Sequence, residues 1–397
     1  MFIIINTIII KRGSEMKKFV GVLSVVVSFV IAFSTSVCAK EEKFPVEIKA
    51  KSAILMDISS GKILMEKNAH EKLPLASVTK IMPLLLFVEA IEEEKIALSD
   101  LVRTSAHAAG KGGSQIWLKE GEEMTVDSLL KAVAIASAND ACCSLGEYIA
   151  GSEKAFIQLM NNRAKELGMN DTIFVNCSGL DDTDTNYTSA YDIALMSKEI
   201  MKYQELVTRY TTVWMDSLRD GKTELVNTNK LVRFYPGTTG LKTGTTSKAG
   251  CCLSATAERD GLHLVAVVMG SENSNDRFET AKSMLNWGFS NYESVTPSID
   301  KKLITDVLVE KGEVDKVTPA IPETNPVLVK KGRSGDIKQT VSLAVGVKAP
   351  VEKGQSLGKV EFTLDGEILG EYNLLSPVNV DTLKLPLAFR RLLMMLV

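Results

Sequence analysis

The chain has very little histidine, no surplus of basic charge, and no apolar run long enough to cross a bilayer comfortably. Its three histidines, His70, His107 and His263, are scattered through 397 residues without ligand spacing to a cysteine, which argues against a zinc site. The formal charge is -3, and residues 1–39 hold four basic and one acidic side chain, so the remainder carries -6. That balance leaves no electrostatic footprint for nucleic acid. Cysteine is sparse too. Beyond residue 39 there are five, Cys142, Cys143, Cys177, Cys251 and Cys252, an odd count with two adjacent pairs. This is not a disulfide framework, and the five are expected to act as small buried apolar residues.

The N-terminal segment has the form of a targeting sequence. Lys17 and Lys18 precede an apolar stretch from Phe19 to Phe33, and Val37-Cys38-Ala39 supplies small residues suited to signal-peptidase cleavage. A stretch of that length is short against the ~20 residues of a membrane span. Residues 1–39 are therefore expected to be a signal peptide, and the rest to be exported to the outer face of the cytoplasmic membrane or the cell wall. The bulky Val37 before Cys38 does not suit lipidation.

The chemistry is organised around Ser77-Val78-Thr79-Lys80. A serine followed three residues later by a lysine, opening an apolar run of helical character, puts hydroxyl and amine on one helix face, about 5–6 Å apart at Cβ. A serine hydroxyl needs an adjacent base at neutral pH, and a lysine is one alternative to a histidine. Pro83 removes an N–H that would bond the Thr79 carbonyl, so a distortion is expected just beyond Lys80. Upstream, AILMDISSGKILME reads as a β-hairpin turning at residues 59–62.

Two further elements follow. Thr125 to Ala136 has helical periodicity and runs into Ser137-Ala138-Asn139 before a second helical stretch. Two readings stand for this short loop: Ser137 relaying a proton while Asn139 holds the lysine and a substrate amide, or either residue capping the helix. Lys242-Thr243-Gly244 then lies in an alternating apolar region broken by Glu258-Arg259-Asp260-Gly261, the pattern of antiparallel strands. There Lys242 and Thr243 would meet a substrate carboxylate, Gly244 would let backbone approach a ligand, and the Lys242 charge would favour a neutral Lys80.

Any one of S-x-x-K, S-x-N and K-T-G is weak alone, but their order and spacing together match the signature of penicillin-binding proteins and class A β-lactamases. With the blocks PLASVTKIM, IASANDA, RAKELGMNDTIFVNCSGL, YTSAYDIALMSKEI and GLKTGTTSKAG, the chain resembles the serine D-alanyl-D-alanine carboxypeptidases, the low-molecular-mass penicillin-binding proteins. The resemblance implies an α/β fold: a β-lactamase/transpeptidase-like domain, with an antiparallel sheet flanked by helices plus a helical subdomain, followed by a small β-rich C-terminal domain. It implies Ser77 as the nucleophile on peptidoglycan stem peptides ending in D-Ala-D-Ala, Lys80 as the base, and Ser137 and Asn139 completing the network. The backbone amides of Ser77 and Thr245 would form the oxyanion hole, and Lys242, Thr243 and Gly244 the carboxylate site with Arg277 near it. No cofactor or metal is implied, and β-lactams would be inhibitors. Two details stand apart. Cys251 occupies a position where the family commonly has an aromatic residue. Glu166 and Asn170 superficially match a β-lactamase deacylation element, but they sit in a block that fits a carboxypeptidase helix end.

The expected organisation is a signal peptide at 1–39, a catalytic domain at 40–295, a β-rich stalk at 298–378 and an amphipathic membrane-surface anchor at 379–397. The last stretch mixes Lys384, Arg390 and Arg391 with leucine, phenylalanine and methionine, a pattern suited to lying in an anionic interface. A β-lactamase and a penicillin sensor are the rival readings; drug turnover would mark the first, acylation without dipeptide hydrolysis the second.

Overall fold

The computed structural model describes residues 47–180, 185–386 and 388–389. The expected signal peptide and most of the expected C-terminal anchor's basic end lie outside them. Strands β1 (Ser52–Asp57) and β2 (Ile63–Lys67) form the expected hairpin, whose turn is closed by Asp57, its carboxylate accepting from the Ser60 amide at 2.8 Å. With β3 (Thr238–Thr246), β4 (Gly250–Arg259) and β5 (Leu262–Ser271) they make a five-stranded antiparallel sheet in the order β2-β1-β5-β4-β3. The β4–β5 turn falls where the Glu258-Arg259-Asp260-Gly261 signal puts it, with Asp260 and Gly261 at φ 50° and 76°.

Both faces of this sheet are covered, so its central strands read as near-continuous apolar runs instead of alternating ones. Every residue of β1 is buried, and β5 is buried except at Gly270. Helix α6 (Ser274–Asn291) lies on one face, where Gly288 admits Leu264 and Leu55; a Cβ there would sit 2.5 Å from the Leu264 side chain. Helix α5 (Ala190–Ile200) packs on the sheet as well, with Ser197 Oγ 2.8 Å from Ser254 Oγ on β4.

Between β2 and α5 the chain builds a helical subdomain: α1 (Ile81–Glu92), α2 (Val126–Ala134), α3 (Asn139–Ala150) and α4 (Glu153–Glu166). Thr125 and Ser152 cap α2 and α4 by accepting from the amides three residues on, each bond 3.2 Å long. Gly151, at φ 79°, ends α3 in the left-handed conformation. Phe87 of α1 stacks on Phe156 of α4 at 5.3 Å between centroids, fitted against Gly146 of α3. The irregularity expected beyond Lys80 instead precedes it. Ala76–Lys80 is a 3₁₀ turn, and Pro83 stands in the first turn of α1, where a missing N–H costs least.

The C-terminal part is β-rich, as expected. β6 (Tyr292–Val295) pairs with β9 (Val327–Lys330); β7 (Val307–Glu310) lies between β8 (Lys316–Val317) and β11 (Gly346–Lys348); β12 (Ser356–Leu364) lies between β10 (Lys338–Leu343) and β13 (Glu367–Leu375). Val307, Val309, Val351 and Leu357 fill one small core, and Val360, Phe362 and Leu374 another. Lys62, in the β1–β2 turn, reaches Glu367 at 2.9 Å. The α/β fold class read from the sequence is the one observed.

Candidate active site

The site lies where the 3₁₀ turn, the α2–α3 loop and β3 converge. Ser77 is half-buried and open to solvent, whereas Lys80 is fully buried. Lys80 Nζ donates to Asn139 Oδ1 at 2.5 Å, to the Ser178 carbonyl at 2.7 Å and to Ser77 Oγ at 3.1 Å. A protonated lysine has three N–H donors and a neutral one has two plus a lone pair. With Asn139 and Ser178 taking two donors, deprotonation leaves the lone pair facing Ser77, whose hydroxyl then donates to it.

Burial pushes the Lys80 ammonium down from its ordinary value to about 8, against opposing pulls from Cys142, Cys177 and Asp140. Desolvation, and not the Lys242 charge expected to favour a neutral Lys80, is the largest cause of this shift. The repulsion registers at Lys242, which burial first, and then the charges of Lys80 and Arg277, hold well below its usual range.

Asn139 and Ser137 sit on either side of Ala138, the N-cap of α3, which makes no side-chain cap bond. Neither residue caps the helix. Asn139 instead bridges, accepting from Lys80 and donating through Nδ2 to the Gly112 carbonyl at 2.7 Å, and Gly113 leaves room for that amide. Ser137 has φ 63°, unusual for a residue with a side chain, and its Oγ is buried without a partner.

β3 forms the other wall. Gly244 lies against the turn bearing Ser77, and a Cβ there would come within 2.8 Å of the Ser77 amide nitrogen. Its bareness lets the strand come close against the turn that carries the nucleophile. Lys242 is buried, with Nζ donating to the Thr243 carbonyl at 2.9 Å, and Thr243 Oγ1 donates to Thr228 Oγ1 at 2.7 Å. Arg277, one turn into α6, is not on the surface. It donates to the Gly244 carbonyl (2.9 Å), Thr245 Oγ1 (3.0 Å) and the Cys252 carbonyl (3.2 Å), bracing β3 from behind. Cys251, in place of an aromatic, is buried with its sulfur 3.8 Å from Thr245 Oγ1.

Several contributors were missed from sequence. The loop after α4 supplies the Ser178 carbonyl. It is latched to the 3₁₀ turn by Asn186 Nδ2, which donates to Thr79 Oγ1 at 3.0 Å, and by Gly179 at φ 82°, whose Cβ would stand 1.8 Å from the Ala76 carbonyl oxygen. Asp140 accepts from the amides of Ile116 and Leu118 at 3.0 to 3.2 Å, fixing the loop beside Asn139. Thr228 is held by its buried neighbours: Asn227 donates to Val213 O at 2.8 Å and Asn229 to Gly240 O at 3.0 Å. Asn and Asp flanking a motif were the available signal. Glu166 ends α4, exposed and paired with Arg163 at 3.2 Å, as a helix-end residue does.

Known proteins share this arrangement. Residues 37–273 match the D-alanyl-D-alanine carboxypeptidase family, and residues 292–382 match the C-terminal domain of penicillin-binding protein 5. The chain belongs to the D-alanyl-D-alanine carboxypeptidase family. It is 43% identical to D-alanyl-D-alanine carboxypeptidase DacF of Bacillus subtilis (strain 168) over 348 residues, 86% of this chain and 89% of that protein. Penicillin-binding protein 5 from Haemophilus influenzae superposes with a TM-score of 0.73 at 30% identity, covering 85% of this chain and 99% of that one. Penicillin-binding protein D2 from Listeria monocytogenes, solved in its ampicillin-bound form, gives 0.54 at 30% identity over 62% of this chain and 99% of its own.

Proposed function

We propose that this chain is a serine D-alanyl-D-alanine carboxypeptidase that removes the terminal D-alanine from peptidoglycan stem peptides through an acyl-enzyme on Ser77. The observation that carries the reading is the placement of Lys80: buried, lowered to about 8, with two fixed acceptors besides the serine hydroxyl. In this reading neutral Lys80 takes the Ser77 proton as Oγ attacks the carbonyl between the two D-alanines. The oxyanion forms against the amides of Ser77 and Thr245, where losing one donor typically costs about 2.7–4 kcal/mol. Lys242, Thr243 and Thr228 hold the terminal carboxylate, which restricts cleavage to the last residue of the chain. Ser137 passes the proton to the departing D-alanine amine, an occupation for its otherwise unpartnered hydroxyl. Arg277 holds β3 at Gly244 and Thr245 beside this carboxylate site. Water then attacks the ester along the same route, and a β-lactam acylates Ser77 and leaves slowly.

The proposal includes export through residues 1–39 and attachment of residues 379–397 to the membrane surface. Leu385 and Phe389, four positions apart, are 86% and 65% exposed, which supports apolar side chains available to an interface. Among the described residues no helix is long and apolar enough to cross a membrane.

The test is intact mass after brief exposure to benzylpenicillin, beside Ser77→Ala, with D-alanine release from a D-Ala-D-Ala peptide measured in parallel. One stable adduct lost in Ser77→Ala, together with D-alanine release, is expected. An adduct without release would point to a sensor, fast drug clearance to a β-lactamase, and no adduct would sink the assignment.

A further inference from the structure

Behind the lysine, three groups that can ligate soft metals meet, with a histidine beside them, where three helices and a loop come together. The Cys143 thiol of α3, the Glu153 carboxylate at the start of α4 and the Cys177 thiol of the loop after α4 place their ligand atoms within 4.8 Å of one another, and all three residues are enclosed. His107, from the short helix Ala106–Ala109, stands beside them, its Nε2 2.7 Å from Glu153 Oε2; it also falls in a second set of three, with Cys143 and Glu147, that shares Cys143 with the first. Sequence spacing hides the set, because its members come from four separate segments.

We propose that Cys143, Cys177, Glu153 and His107 form a binding site for one soft or borderline divalent cation such as zinc. A tetrahedral zinc with two sulfurs needs donor atoms about 3.3–3.8 Å apart, so side-chain rotations suffice to close the set. Charge accounting favours it. The Glu153 carboxylate is paired with Lys111, whose Nζ is 2.5 Å away. Two sulfurs bound as thiolates would cancel the charge of a dication while Lys111 still balances Glu153, any thiol proton leaving to solvent. The metal-loaded cluster is then neutral, which removes the usual obstacle of an uncompensated buried charge. Entry is through His107, whose side chain is 58% exposed.

The site is wired to the catalytic centre. Cys177 precedes Ser178, whose carbonyl holds Lys80, and Cys143 is one helical turn after Asn139, the other acceptor. A bound cation ties together the two elements that position the base, so occupancy is expected to raise the melting temperature. None of this depends on which peptide Ser77 attacks.

The experiment is titration of chelator-treated full-length protein with cadmium as probe, and then zinc. Expected are one equivalent per chain, sulfur-to-cadmium charge-transfer absorption and a higher Tm. Cys143→Ser should abolish the absorption, and His107→Ala, at an exposed position outside the catalytic machinery, should weaken affinity by at least about tenfold. Stoichiometric acylation by benzylpenicillin in both variants would certify folding. Absence of the absorption in the parent protein would overturn the proposal, as would undiminished absorption in Cys143→Ser. So would a parent mass lighter by two hydrogens with Cys143 and Cys177 unreactive to alkylation, since the pair would then be a disulfide.

Discussion

If Lys80 acts as a neutral amine, acylation must follow its deprotonation. Its ammonium is lowered to about 8 chiefly by burial, so the free-base fraction at pH 7 is about one in eleven, at pH 8 about half and at pH 9 about ten in eleven. At an unshifted value of 10.5 the fraction at pH 7 would be about three in ten thousand, so burial supplies roughly three hundredfold more active base. The second-order rate of acylation by benzylpenicillin reports the free enzyme and is therefore the quantity to measure. It should climb about tenfold between pH 7 and pH 9, with a midpoint near 8. Lys242 works with the opposite sign, since it must stay protonated to hold a carboxylate, and its own value is depressed. A falling limb in the profile belongs to it, and Lys242→Arg, which keeps its proton, should remove the fall while leaving the rise. A rate independent of pH from 6 to 9, with the fold intact by circular dichroism, would refute the neutral-lysine argument.

Ser137→Gly should stabilise the fold by about 1–2 kcal/mol, by relieving φ 63° and an unpartnered hydroxyl, while slowing peptide hydrolysis at least a hundredfold; a lower Tm would defeat the strain account. Gly179→Ala drives a methyl into the Ala76 carbonyl, so Tm should drop by the equivalent of at least about 2 kcal/mol and acylation of Ser77 should fall with it. Unchanged acylation would show that the Ser178 carbonyl is dispensable. Thr228→Val removes the hydroxyl that receives Thr243, and should raise KM for a D-Ala-D-Ala peptide about three- to tenfold with kcat nearly constant. An effect on kcat alone would place Thr228 outside carboxylate binding.

What was legible in the sequence was whatever local geometry enforces. S-x-x-K sets two side chains on one face whether the turn is α or, as here, 3₁₀. The Ser59-Ser60-Gly61-Lys62 and Asp260-Gly261 turns announce their hairpins because few residues accept their dihedrals. Groups acting through backbone or across long separations were not legible. The Ser178 carbonyl has no side-chain signature, and nothing in the polar NCSGL run says that it folds inward over a lysine ninety-eight positions earlier. Arg277 is placed near the carboxylate by resemblance; its Nη1 donates to the Gly244 and Cys252 carbonyls and to Thr245 Oγ1, while its buried Nε has no partner. Burial in a helix facing a strand end was the missing fact. The thiols of Cys143 and Cys177, likewise, read correctly as buried but not as neighbours of Glu153.

The features that make this site expensive to fold are those its chemistry uses. Two lysines are buried with their charges disfavoured, one serine has a left-handed backbone and an unanswered hydroxyl, and Ala76 next to the nucleophile has φ 49°. Each would relax if its surroundings were soft. They are not: Asp140 pins one loop through two amides, Asn186 and Gly179 lock another onto the 3₁₀ turn, and Arg277 braces β3 from behind with three bonds. Such bracing lets unfavourable conformations persist, because relaxing one group would break several satisfied ones. A neutral amine and a bare hydroxyl held this way need little reorganisation when an oxyanion forms, and that is the contribution a preorganised site makes to rate. Residues that brace the site, Asp140, Asn186 and Gly179 among them, are therefore where activity and stability should be lost together, whereas at Ser137 they should part.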